Sequence, residues 1–189
     1  QSLRWELPPQ PLQAAADQAS AELWFTFANE SGQSLEIVET ESDCGCVSSL
    51  IDQSVLHPGE SGALVVTVDL ERNVGLLRKQ LTVTSRPVGR KETRSDVIDI
   101  LIQIESPLAV ESIPPDSAGR RRFALRSLGR DPISVSVAPG SDTVLALEKA
   151  PAGDLWTATL KEASDEQNSV LAHLPNGVVK RVPLPASAD

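Results

Sequence analysis

The stretch Leu23-Trp24-Phe25-Thr26-Phe27-Ala28-Asn29-Glu30-Ser31-Gly32 places Leu23, Phe25 and Phe27 at every second position and then breaks at Asn29 and Gly32. A period of two puts those three side chains on one face of a strand. Asn and Gly then supply a turn into the next strand. The same period recurs at Leu64, Val66, Val68 and Leu70, at Leu81 and Val83, and at Ile98, Ile100, Ile102 and Ile104. Turn-forming runs separate these segments: Pro58-Gly59-Glu60-Ser61-Gly62, Asn73-Val74-Gly75 and Arg86-Pro87-Val88-Gly89. Short strands with regular punctuation predict an all-β fold of the sandwich type. Residues 23–28 are expected to pair with the strand at 64–70 or its neighbours, burying Leu23, Phe25 and Phe27. The strand at Ile98–Ile104 is rich enough in β-branched residues to matter at a sheet edge. Leu12–Ala21 is alanine-rich but lacks an apolar stripe at helical spacing and follows three prolines, so it reads as an extended or irregular lead-in.

Ser106-Pro107 ends the last strong strand, and Pro114-Pro115 follows. The alternation then restarts more weakly at Phe123–Arg126, Ile133–Val137, Val144–Leu147, Leu155–Leu160, Val170–Leu174 and Val178–Val182. Two domains follow from this, residues 1–107 and a smaller sandwich at 108–189. The segment Pro183–Asp189 reads as a frayed tail.

Hydrophobic residues make up 40% of the 189 positions but aromatics only 3%, so the core must be built mainly of Val, Ile and Leu. The net charge of −9, concentrated in residues 1–107, argues against a nucleic-acid or anionic-membrane partner, since both are bound by clustered Lys and Arg. No apolar run approaches the ~20 residues of a membrane-spanning helix. The chain begins at Gln1 and contains no Met, which fits a signal peptide already removed and a periplasmic or extracellular location.

Several motifs occur in a fixed order: Phe25-Thr26-Phe27-Ala28-Asn29, Leu35 and Ile37, Cys44-Gly45-Cys46, Pro58-Gly59-Glu60-Ser61-Gly62, then Gly75, Lys79 and Leu81-Thr82-Val83-Thr84. This series resembles the DUF1573 family of bacterial envelope proteins over roughly residues 3–105. The resemblance implies an immunoglobulin-like fold, with kinship to the wider group of the major sperm protein and Hydin type. Where that family usually has Thr after the second cysteine, this chain has Val47. An immunoglobulin-like second domain at 108–189 rests on strand pattern alone.

Cys44 and Cys46 are the two cysteines of the chain. In an extended strand their Cα atoms would lie ~6.5–7 Å apart. A disulfide prefers ~5.5–6 Å, so bonding requires Gly45 to bend the backbone. Three readings stand open. The first is a local disulfide, or two small buried side chains, in an oxidising envelope. The second is a copper or zinc site formed by Cys44 and Cys46 with His57 as third ligand. The third is a thiol-disulfide redox centre, which the flanking acids Glu36, Glu39, Glu41 and Asp43 oppose because they raise a thiol pKa.

The remaining features carry less. Arg120-Arg121-Arg122 and the basic loop Arg86–Arg94 could meet an anionic partner or simply face water, and His173 has no evident partner in the sequence. The function expected is a non-catalytic envelope module for protein binding or assembly, without a cofactor and with an unidentified envelope protein as partner. The alternatives are copper or zinc handling and thiol-disulfide exchange.

Overall fold

The computed structural model describes residues 3–141, 144–151, 153–161 and 168–186. Every regular element among them is a β-strand, and the chain divides into two compact units. The first comprises Gln1–Ala14, Ser20–Asp69 and Leu76–Gln103, and the second Ala15–Ala19, Leu70–Gly75 and Ile104–Asp189.

The first unit holds β1 (Leu3–Glu6), β2 (Leu12–Ala14), β3 (Ser20–Asn29), β4 (Leu35–Ser42), β5 (Val47–Ile51), β6 (Val55–Leu56), β7 (Ser61–Asp69), β8 (Gly75–Pro87) and β9 (Arg94–Ile104). One sheet has the order β1-β3-β7-β5 and the other β2-β9-β8-β4-β6. Lettered along the chain, the first order is A-B-E-D, and the second contains C-F-G with an added strand at each end. That is the immunoglobulin arrangement. The expected pairing of β3 with β7 is present and antiparallel, with Leu23 opposite Val66, Phe25 opposite Leu64 and Phe27 opposite Gly62. Leu23, Phe25 and Phe27 are buried together with Leu64, Val66, Val68, Leu81 and Val83.

The strand at Ile98–Ile104 corrects the sequence reading. It belongs to β9, which lies between β2 and β8 rather than at an edge, and all four of its isoleucines are buried. Beside the three-residue β2, the Gln10 side chain extends the cover. Its Nε2 donates to Asp99 O at 3.1 Å and its Oε1 accepts from Leu101 N at 2.7 Å, which is the pattern of a neighbouring strand.

The second unit holds β10 (Leu108–Ile113), β11 (Arg122–Ser127), β12 (Ser134–Val137), β13 (Val144–Lys149), β14 (Leu155–Leu160), β15 (Ser169–His173) and β16 (Val179–Pro183). The sheet orders β10-β11-β14-β13 and β12-β15-β16 are A-B-E-D and C-F-G, the seven-strand immunoglobulin set. Phe123, Leu125, Trp156, Ala158, Leu160, Val170, Ala172 and Val182 form its core. The tail reading needs correcting as well. Pro183 closes β16 and Leu184 is buried, its N–H donating to Asn168 O at 2.7 Å, while 187–189 lie outside the described residues.

Lys180 occupies a position where the alternation Val178-x-Lys180-x-Val182 calls for an apolar residue, and it is fully buried. Its Nζ donates to Leu70 O at 2.6 Å and to Gln18 O at 3.0 Å. Asn176 Nδ2 donates to Asp17 O, and Arg72 N to Val179 O. These bonds hold Ala15–Ala19 and Leu70–Gly75 within the second unit. Each charge-assisted bond is stronger than a neutral one, which offsets part of the cost of burying the ammonium.

Candidate functional site

Cys44 and Cys46 are bonded to each other, with S–S 2.04 Å and Cα atoms 5.3 Å apart. The pair sits in the turn between β4 and β5, whose bend brings the two Cα atoms inside the extended spacing, although Gly45 there has neither a positive φ nor a neighbour within 4 Å of an added Cβ, so the bend does not depend on glycine. The Ser42 hydroxyl secures the turn, donating to Cys44 O at 2.9 Å and accepting from Cys44 N at 3.2 Å. Past the turn, Cys46 O accepts from Asp69 N at 2.8 Å, which brings the chain onto β7. This is a local clasp, unlike the inter-sheet bridge between strands B and F of antibody domains. With a sequence separation of only 2, it removes little chain entropy from the unfolded state. The double substitution Cys44→Ser with Cys46→Ser is therefore expected to lower stability by less than about 2 kcal/mol, measured by urea denaturation. A larger loss would give the clasp a structural weight that its ring size does not.

His57 lies elsewhere in the unit. It follows β6, whose Leu56 pairs with Leu35 at the start of β4, whereas Cys44 follows the end of β4. An extended strand of 8 residues spans about 26 Å, so the structure does not bring His57 to the sulfurs. Its Nδ1 shares a 2.9 Å hydrogen bond with Ser34 Oγ. His57 also opens the turn His57-Pro58-Gly59-Glu60, closed by Glu60 N donating to His57 O at 3.0 Å. Gly59 has φ +81°, as the third position of a type II turn requires, and Pro58 presets the second. Glu60 Oε2 accepts from His57 N at 2.8 Å, so each letter of the Pro-Gly-Glu motif has a local structural task. Gly62 has one too. A Cβ there would meet Phe27 Cζ at 2.8 Å. His173 does have a partner that the sequence did not reveal, Ser136 Oγ at 2.8 Å from Nε2. Among the described residues, neither Ser–His pair has a carboxylate hydrogen-bonded to the second ring nitrogen, the third group that would orient a nucleophile–base pair.

The Arg120-Arg121-Arg122 run does not act as one cationic cluster. Arg120 Nε donates to Asp116 Oδ2 at 2.7 Å, and Arg121 donates to Pro185 O while lying over the Phe123 ring at 5.2 Å. The Arg120 backbone N–H, first among the causes, holds the Asp116 carboxyl below its usual pKa, with the Arg120 side chain and Ala118 N adding to it.

The feature that sequence reasoning missed lies on the outer face of the β1-β3-β7-β5 sheet. Trp24 on β3 and Leu50 on β5 both stand opposite Val65 on β7, so the three make one continuous cross-strand row. Trp24 is 60% and Leu50 71% exposed. Trp24 Nε1 donates to Glu22 Oε1 at 2.7 Å, which fixes the indole against the sheet. Carboxylates frame the row: Glu22 on one side, Asp52 on the other, its Oδ1 accepting from Ala63 N, and Glu6 beside Thr26. Leu50 also borders a groove of about 260 Å³ lined by Val38, Thr40, Ser49 and Ser54, next to the edge strand β5. The sequence signal was present, since Trp24 falls out of phase with Leu23, Phe25 and Phe27, but the register that aligns it with Leu50 is long-range.

Residues 4–95 match the family described as "Protein of unknown function (DUF1573)". No curated protein matches the chain. Among solved structures, the chain is similar to a protein of unknown function from Porphyromonas gingivalis, at 13% identity over 100% of both chains with a TM-score of 0.42. It is similar to the YadV chaperone at 11% identity, covering 97% of this chain and 100% of that one, with a TM-score of 0.41. The VesB protease of Vibrio cholerae is similar at 16% identity over 56% of this chain and 32% of the protease, with a TM-score of 0.38, so the chain spans about a third of that protein. No activity or partner follows from likenesses at this level. The Phe-x-Phe-x-Asn strand, the Cys-Gly-Cys turn and the Pro-Gly-Glu turn all fall within residues 4–95, the segment that matches the DUF1573 family.

Proposed function

We propose that the chain is a non-catalytic module of the bacterial cell envelope that binds another protein through the outer face of the β1-β3-β7-β5 sheet. The observation that carries this reading is the exposed row Trp24–Val65–Leu50. Large apolar side chains gathered on a solvent face mark interaction sites, and Trp is enriched among the residues that dominate binding energy. The carboxylates of Glu22 and Asp52 favour a partner with apolar side chains flanked by Lys or Arg, while Glu6 is already paired with Arg4 at 3.1 Å. The open edge of β5 suits an extended segment, which would add main-chain hydrogen bonds to the side-chain contacts. The Cys44–Cys46 disulfide supports an oxidising compartment such as the periplasm or cell exterior.

The test is site-specific photo-crosslinking in the native host, with a benzophenone residue at Leu50 and, as a control, at Lys91. A discrete adduct at Leu50, absent at Lys91 and lost when Trp24→Ser is added, is expected. Mass spectrometry of that adduct should show a basic-flanked apolar segment. The same adducts at both positions, or none at Leu50, would overturn the reading.

A further inference from the structure

The hairpin joining β8 to β9 forms, with the loop between β3 and β4, a pocket of about 460 Å³ within the first unit. Its lining includes Arg86, Arg90, Arg94, Ser31, Thr93 and Gln33, with the Ser31 hydroxyl engaged within its own loop by Asn29 Oδ1 and Gln33 O. Three arginines thus line one concavity in a chain whose net charge is −9. One carboxylate, Glu92, also lines it.

The fold explains how the arginines come together. Arg86 lies directly opposite Glu36 in the β4–β8 register, and its Nε and Nη2 both reach Glu36 Oε2, at 3.0 and 2.9 Å. That pair fixes the Arg86 fork and takes up part of its charge. The chain then turns at Pro87-Val88-Gly89-Arg90, closed by Arg90 N donating to Pro87 O at 3.0 Å, and it is tied to the neighbouring loop by Val88 N donating to Ser34 O. Arg90 leaves this turn and Arg94 begins β9, so the two stand on either side of the loop. Both are exposed, and no ion pair among the described residues engages either. The acidic residue of the opposing loop, Glu30, is occupied by Arg4 at 2.6 Å, which also raises the Arg4 pKa, so it does not cancel the pocket's charge.

We propose that this pocket binds a small, multiply charged oxyanion, a di- or tricarboxylate or a phosphorylated sugar. Guanidinium groups match the paired oxygens of carboxylates and phosphates. Two uncommitted forks call for two anionic groups on one ligand. The volume exceeds that of a single inorganic ion and falls in the usual range for small-molecule sites, and Thr93 and Gln33 add polar side chains to the lining that suit a hydroxylated backbone. Loops clustered at one end of a sandwich are where this fold presents binding residues. The site stands on residues other than Trp24 and Leu50, so it is independent of the protein-binding face.

Isothermal titration with citrate, glucose 6-phosphate and a hexaglutamate peptide tests it on the full chain at low ionic strength. Citrate, glucose 6-phosphate or both should bind at one site per chain and weaken as salt is added. Binding of one alone identifies the source as carboxylate or phosphate. Affinity should fall at least tenfold in the double variant Arg90→Gln with Arg94→Gln and stay unchanged in Arg130→Gln, an exposed arginine of the second unit. Arg90→Gln alone should act in the same direction, which guards against misfolding of the double variant. Three outcomes would overturn the proposal: no binding of either small anion, equal binding to the double variant, or binding of hexaglutamate alone, which would make the pocket a contact for acidic polypeptide.

Discussion

Phe27→Ala is expected to destabilise the first unit by ~3–5 kcal/mol, the range for truncating a core phenylalanine. Phe27 is 1% exposed, its ring centroid lies 4.9 Å from that of Trp5, and it fills the space left by Gly62. Alanine would remove the ring from both contacts, and a strand paired along both edges cannot collapse onto the gap without moving β1 or β7. Urea denaturation followed by tryptophan fluorescence measures the loss, and Trp5 makes the first unit directly visible. A change below about 1 kcal/mol would mean that the Phe27 side of β3 does not face the core.

Asn29→Ala should cost ~2–4 kcal/mol although it removes little volume. Asn29 is fully buried at the end of β3 and uses both ends of its amide. Nδ2 donates to Gln33 O at 2.9 Å and Leu56 O at 3.0 Å, and Oδ1 accepts from Ser31 N at 2.9 Å and Ser31 Oγ at 2.6 Å. Its main-chain O accepts from Gly59 N at 2.8 Å. One side chain therefore joins the β3–β4 turn to β6, and its loss leaves the Leu56 carbonyl buried without that donor. Asn29→Asp tests the cause, because it keeps the acceptor but places a negative charge against two carbonyl oxygens. It should be at least as destabilising as alanine. If Asn29→Asp were neutral, the hydrogen bonds could not be what the asparagine supplies.

Much of the fold was legible because strand period is a local property. The six weak segments after residue 120 coincide with β11 to β16 within one or two residues, since alternating burial demands alternating sequence. Among the strands that escaped notice, β1, β5 and β6 are five residues or shorter and mostly exposed or half-buried, and the six-residue β10 lies between two proline signals that read as a linker. Their pairing is set by neighbours, not by their own pattern. Ile98–Ile104 was misplaced at an edge for a related reason. A run of β-branched residues shows that a strand is buried, but not which strands lie beside it.

The candidate site was less legible. The cysteine motif drew attention as the rarest chemistry in the chain, and the structure makes it a local turn clasp with His57 at the far end of β4. The apolar row and the arginine pocket depend on registers between strands tens of residues apart, Trp24 with Val65 and Leu50, Arg86 with Glu36.

The amino-acid sequence alone determined the all-β class, the faces of β3, β7 and β9, and the turns at Asn29–Gly32 and Pro58–Gly59, because each follows from side-chain alternation or backbone preference within a few residues. Tertiary structure alone decided that Cys44 meets Cys46 across a bend, that Lys180 is buried on the carbonyls of Gln18 and Leu70, and that Ala15–Ala19 and Leu70–Gly75 pack with the second unit. The physical reason is the same in each case. Hydrogen-bond donors and carbonyls far apart in the chain must be matched in space, and no short-range pattern records which will meet.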